Sequence, residues 1–214
     1  MKVNYKMTNW EKRKEHLNNF GILTVDNVPK DVLDYLKNNY DTNNSHNEYL
    51  AGQIKREYEF KKWPQYIDKF VLDQTSQPLI QKHTANLSLL SSNRPFYLKS
   101  LWINLQKKYE FNPMHKHIGV FSFIIFLQIP YNLDEEDKVF PKSSDEDPAT
   151  SRLAFIVNDF SGAPRDINVN VDKSFEGKML MFPAGLNHMV YPFYTSDDYR
   201  MTVSGNISFW VEEC

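Results

Sequence analysis

Cysteine is almost absent from this sequence: the single one, Cys214, stands at the very end of 214 residues. One thiol closes no internal disulfide, so a reducing, cytoplasmic setting is the expectation. Glycine is scarce, at seven residues, and no GxGxxG, GxxxxGK or GxSxG pattern occurs. Dinucleotide-binding, P-loop and serine-hydrolase readings therefore lose their main supports. Net charge is small, −2 with a pI near 6.3. That gives no electrostatic reason to expect nucleic acid or an anionic membrane as the main partner. No apolar run approaches the length of a membrane span, and the first residues, Met1 to Met7, lack the apolar core of a signal peptide.

What the sequence does have is aromatic side chains, with fifteen Phe and twelve Tyr, which favours a β-rich core. The length suffices for one domain with a proper core. Residues 1–94 read as a mixed, partly helical region packing on a barrel formed by residues 95–214. In the first part Gly21 to Val25 reads as a short strand and Asp26 to Pro29 as a turn. Val32, Leu33, Leu36 and Tyr40 then fall at helical spacing. Pro64 to Ser76 repeats that pattern, and the polar run 41–47 between them reads as a loop. His16, His46 and His83 have no partner at metal-ligand spacing and are expected at the surface or on helices.

From Pro95 onward the texture is that of strands. Residues 97–106 and 200–211 alternate, whereas 121–129 and 153–158 are nearly continuous apolar runs, the mark of strands covered on both faces. The acidic, Pro-bearing stretch 132–150 has no periodicity, and reads either as a solvated loop or as an active-site lid.

Three features carry chemistry. The segment Asn112-Pro-Met-His115-Lys-His117 precedes the buried 121–129 strand, and in extended chain residues two apart point the same way. His115 and His117 are thus candidate ligands for a divalent metal, against the plainer reading of two exposed loop histidines. Downstream, Gly177 to Pro192 reads as strand, tight turn and strand, with His188 just after Gly185. A barrel brings such distant histidines to one mouth, although a core histidine bonded to a carbonyl is the competing reading. In the last strand one face reads Arg200, Thr202, Ser204, Asn206, Ser208 and Trp210. That face looks at solvent or lines a barrel that holds a polar ligand, where Arg200 is suited to capture a carboxylate with help from Thr202. Arg200 follows His188 by twelve residues, which places it near the metal. Strand 97–106 puts Trp102, Asn104 and Gln106 on one face, available to the same ligand.

Taken in order, these segments resemble the 2-oxoglutarate/Fe(II) oxygenase superfamily, in particular oxygenases encoded in phage and marine bacterial genomes. The resemblance rests on Trp102-Ile-Asn104, Asn112-Pro-Met-His-Lys-His-Ile-Gly119, Phe182-Pro183 with His188, and Arg200-Met-Thr202. It covers the C-terminal ~120 residues. It implies a double-stranded β-helix (a jelly-roll, cupin-like barrel), Fe(II), 2-oxoglutarate and O₂, and a hydroxylase chemistry that releases succinate and CO₂, on a substrate the resemblance does not name. It also implies His115 and His188 as two metal ligands, Arg200 and Thr202 on the distal carboxylate of 2-oxoglutarate, and Asn104 and Gln106 beside the co-substrate. One departure stands out: the superfamily usually carries Asp or Glu where this chain has His117. A register with His117 as first ligand and Gly119 at the carboxylate position, as in halogenating relatives, is the minor alternative. A 2-oxoglutarate-independent three-histidine dioxygenase of cupin type and a non-enzymatic β-barrel are the rival classes.

Overall fold

The computed structural model describes residues 9–50, 52–87, 95–140, 149–159 and 161–210. Cys214, the Met1 to Met7 segment and positions 141–148 of the acidic stretch lie outside them. In chain order the elements are α1 (Asn9–Asn18), β1 (Leu23–Val25), α2 (Lys30–Asn38), β2 (Glu57–Glu59), α3 (Gln65–Asp73), α4 (Pro78–Leu87), β3 (Phe96–Gln106) and β4 (Asn112–His115). There follow β5 (Phe121–Gln128), α5 (Leu133–Glu136), β6 (Leu153–Asn158), β7 (Pro164–Val169), β8 (Met179–Pro183), β9 (His188–Val190) and β10 (Arg200–Phe209).

The strands form two antiparallel sheets. The large one runs β1-β8-β5-β10-β3-β2 and the small one β4-β9-β6-β7. They face each other as a double-stranded β-helix. Strand alternation sorts the side chains into two cores. Leu101, Ile103 and Leu105 of β3, Phe121, Phe123 and Ile125 of β5, and Val203 and Ile207 of β10 point to the helix side, where they meet Val32 and Leu36 of α2 and Ile67 and Val71 of α3. Those helical residues recur at i and i+4 and so share one stripe. Pro29 and Pro64 stand at the helix starts, where a missing N–H breaks no helical hydrogen bond. Between the sheets, Ile124, Phe126, Leu180 and Phe182 pack on Leu153, Phe155, Ile167 and Val169. At Gly205 an added Cβ would lie 2.5 Å from the Phe123 ring and 2.7 Å from the Ser100 carbonyl, so the close ring–backbone approach there requires glycine.

Several sequence expectations need correction. The strand expected over Gly21 to Val25 is β1, which pairs with β8, but β2 was not expected; it pairs with β3, so both edge strands of the large sheet come from the N-terminal region. The helix of Val32 and Leu36 stops at Asn38, short of Tyr40, which stacks instead on Tyr58. Strand β6 is covered on both faces only over its first half; Ile156 and Val157 are half-buried and Asn158 is exposed, because past Phe155 its ladder with β9 ends and only the edge strand β7 remains paired with it. Strand β7 itself goes unsignalled in the sequence, since three of its six positions are exposed. The acidic stretch begins with a turn of helix, and two of its acids face inward rather than into solvent. Glu136 is fully buried and accepts hydrogen bonds from the backbone N–H groups of Tyr194 (3.0 Å) and Thr195 (2.7 Å) and from the Thr195 hydroxyl (2.6 Å). Asp137 pairs with the buried guanidinium of Arg152, which also donates to Asn170 at 3.2 Å. These charge-assisted bonds fasten the β5–β6 connection to the chain that leads into β10. No described helix is long and apolar enough to cross a membrane.

Candidate functional site

The space between the sheets opens at one end into a pocket. Among its lining residues are Glu57, Trp102, Asn104, Asn112, His115, His117, His188, Arg200 and Thr202. Strand pairing brings the histidines together. His115, last residue of β4, lies opposite His188, first residue of β9. His117 is two residues past the end of β4 and is anchored by its backbone N–H to the Ala184 carbonyl at 2.9 Å. The ring centroids are 4.3 Å apart for His115–His188, 5.0 Å for His115–His117 and 5.1 Å for His117–His188. One ligand nitrogen from each lies within 4.8 Å of the others, close enough to address one ion.

The protonation state suits ligation. Burial is the main cause that lowers all three imidazoles, with mutual repulsion adding to it for His117 and His188: His188 falls to about 3 and His117 to about 4. At neutral pH the rings are therefore uncharged, the form that binds metal. Nδ1 of His115 meets the Pro113 carbonyl at 2.7 Å and Nδ1 of His188 the Leu186 carbonyl at 3.0 Å. A carbonyl accepts, so Nδ1 carries the proton in each and Nε2 keeps its lone pair. Gly119 lies elsewhere, on a separate surface cavity with Asn18, His83 and Pro183, which does not favour the register that would use it in the site.

The polar face of β10 turns inward. Arg200 is 2 % exposed and Thr202 8 %. Arg200 donates to the Ser151 carbonyl at 3.3 Å, and among the described residues no carboxylate pairs with it. A buried guanidinium without a counter-ion is costly, so this pocket is built for an anion. Asn104, opposite Thr202, is held on all sides: its amide donates to the hydroxyls of Thr202 and Ser204, both at 3.2 Å, and accepts from the Trp102 indole at 3.2 Å. Gln106, opposite Arg200, donates to the Glu110 carbonyl at 2.6 Å. All seven candidate residues thus line one pocket.

Sequence reasoning missed two further lining residues, Glu57 and Asn112, and a half-buried histidine close by, His46. Glu57 of β2, opposite Asn104, is 1 % exposed and lines the pocket. Asn112, read only as part of the histidine segment, borders it too. His46, expected at the surface, is half-buried, with its ring 5.5 Å from that of Trp102, which in turn lies 5.5 Å from His117. Of the aromatic residues Phe121, Phe123, Tyr191 and Phe193, only Phe123 borders the pocket. Phe121 belongs to the helix-side core and Phe193 to the core between the sheets.

Residues 100–206, half of the chain, match the sequence profile of a family described as "Putative 2OG-Fe(II) oxygenase". No curated protein sequence matches the chain. Among solved structures, a prolyl-4-hydroxylase from Pseudomonas putida is similar at 12 % identity and a TM-score of 0.50, over 92 % of this chain and 97 % of that one. HygX from Streptomyces hygroscopicus, with nickel and 2-oxoglutarate bound, is similar at 11 % identity and a TM-score of 0.44, over 94 % and 87 %. The first likeness speaks to the fold alone.

Proposed function

Because this chain belongs to the 2-oxoglutarate- and Fe(II)-dependent oxygenase family, we propose that it is a hydroxylase in which His115, His117 and His188 hold the metal and Arg200 holds 2-oxoglutarate. The observation that carries this reading is the buried, anion-less Arg200 in the same pocket as three neutral imidazoles. The donor set fits a divalent first-row metal, for which imidazole is a good ligand. When bound, Fe(II) and 2-oxoglutarate supply O₂ activation coupled to decarboxylation, with succinate and CO₂ as products and a hydroxylated C–H bond in the substrate.

The residues divide the remaining work. Arg200 presents its guanidinium to the distal carboxylate, with the Thr202 hydroxyl two residues on along the same face. Asn104 fixes the Thr202 hydroxyl and so the direction in which it donates. The Pro113 and Leu186 carbonyls hold two of the imidazoles in their ligating tautomer. Leu50, Ile54 and Trp102 border the pocket and limit water.

An all-imidazole cluster also suits a dioxygenase that needs no 2-oxoglutarate, and one assay separates the two. With Fe(II) and O₂, succinate should form from 2-oxoglutarate, and Arg200→Ala should raise the KM for 2-oxoglutarate by roughly 10- to 100-fold, the worth of a charge-assisted pair. An unchanged KM for 2-oxoglutarate in the variant would sink the assignment of Arg200.

A further inference from the structure

The wall of the pocket across from Thr202 holds two buried oxygens with no hydrogen-bond partner, Glu57 Oε1 and Asn112 Oδ1. They are neighbours. A Cβ placed on Gly52 would lie 2.0 Å from Asn112 Oδ1 and 3.4 Å from Glu57 Oε1, so the two oxygens are no further apart than the sum, about 5.4 Å. Glycine at 52 leaves open the gap that a side chain would fill. The other carboxylate oxygen of Glu57 has only a long contact, 3.4 Å, from the Asn47 amide. Both unpartnered atoms are acceptors, and burying such a pair without a donor is unfavourable. A ligand that enters here must therefore bring N–H or O–H groups.

Charge decides which. Glu57 brings a carboxyl group to the lining and Glu110 acts on it as a like charge, so this part of the pocket is acidic. Beside it stands the Trp102 indole, whose π-face is attractive to cations. Arg200 does not serve Glu57: it lies two strands over and two residues along, roughly 10 Å across the sheet and ~7 Å along it by strand geometry. We propose that Glu57 and Asn112 are the recognition point for a substrate bearing a cationic nitrogen, an ammonium or guanidinium group, with Trp102 as the aromatic wall beside it. This rests on the reading that metal and 2-oxoglutarate occupy the histidine and Arg200 side, which leaves the Glu57 side for the substrate. Burial first, and Glu110 second, raise the Glu57 carboxyl to about 7, so an arriving cation draws it into its ionised form.

The test titrates n-butylammonium and n-butylguanidinium, against the neutral analogues 1-butanol and n-butylurea, into the full-length Ni(II)-loaded protein by calorimetry. At least one cation should bind roughly 10-fold or more tightly than its neutral analogue. The isosteric Glu57→Gln should erase that preference. Equal binding of charged and neutral probes to the wild type, no binding of either cation, or a preference that survives in a folded Glu57→Gln would each overturn the proposal. The wild-type comparison decides even if the variant does not fold. Titrating 2-oxoglutarate into the same samples separates the two readings: cation preference without 2-oxoglutarate binding supports the Glu57 site and removes the oxygenase pocket, whereas the reverse removes only the Glu57 site.

Discussion

The two walls of the pocket are finished to different degrees. On the wall built by β3 and β10 the polar side chains are interlocked: Asn104 ties Thr202, Ser204 and Trp102 together, and Gln106 ties down the turn at Glu110. Where β2 comes up to the start of β4, Glu57 and Asn112 keep oxygens without partners. A ligand that is always the same rewards a rigid, satisfied frame, whereas a site for the variable substrate shows itself by what it leaves unpaired. Arg200 links the two conditions, rigidly placed on β10 yet lacking an anion.

The largest effect should come from breaking the histidine cluster on β4 and β9, which faces both of these regions. His188→Ala removes the most buried of the three imidazoles and should weaken metal binding by about 100-fold or more, read by calorimetry with Ni(II). A variant that binds Ni(II) like the wild type would move the metal away from this cluster.

A smaller effect sharpens the contrast, because the histidines and Glu57 respond to pH with opposite signs. The histidines have folded values below the ordinary 6.5, so the unfolded chain takes up more protons under acid, and stability falls as pH drops from about 6.5 toward 4. Glu57 is raised from 4.5 to about 7, so there the folded chain binds the extra proton, and stability falls as pH rises from 4.5 through 7. Thermal unfolding of the metal-free protein should show Glu57→Gln gaining on the wild type by on the order of 2 kcal/mol between pH 5 and pH 8. A constant difference across that range would mean that the Glu57 carboxyl is not perturbed by burial.

The finished wall was also the legible one. Alternation along 97–106 and 200–211 fixes which side chains share a face, so Asn104, Gln106, Arg200 and Thr202 could be grouped before any fold was known. What alternation leaves open is which face points inward; pairing of β10 with both β3 and β5 decides that. Glu57 was not legible. Its strand is three residues long, Glu-Tyr-Glu, in a polar stretch, and its burial follows from pairing with β3 some 45 residues away. Glu136 and Asp137 hid in the same way inside an acidic run, turned inward because Tyr194, Thr195 and Arg152 come to meet them.

The most direct test of the oxygenase pocket is anaerobic calorimetry of 2-oxoglutarate into the Fe(II)-loaded protein, wild type beside Arg200→Ala. The expected result is one molecule bound per chain in the wild type and an affinity lower by roughly 10-fold or more in the variant. Equal affinity in the two, or no binding to the wild type, would contradict it.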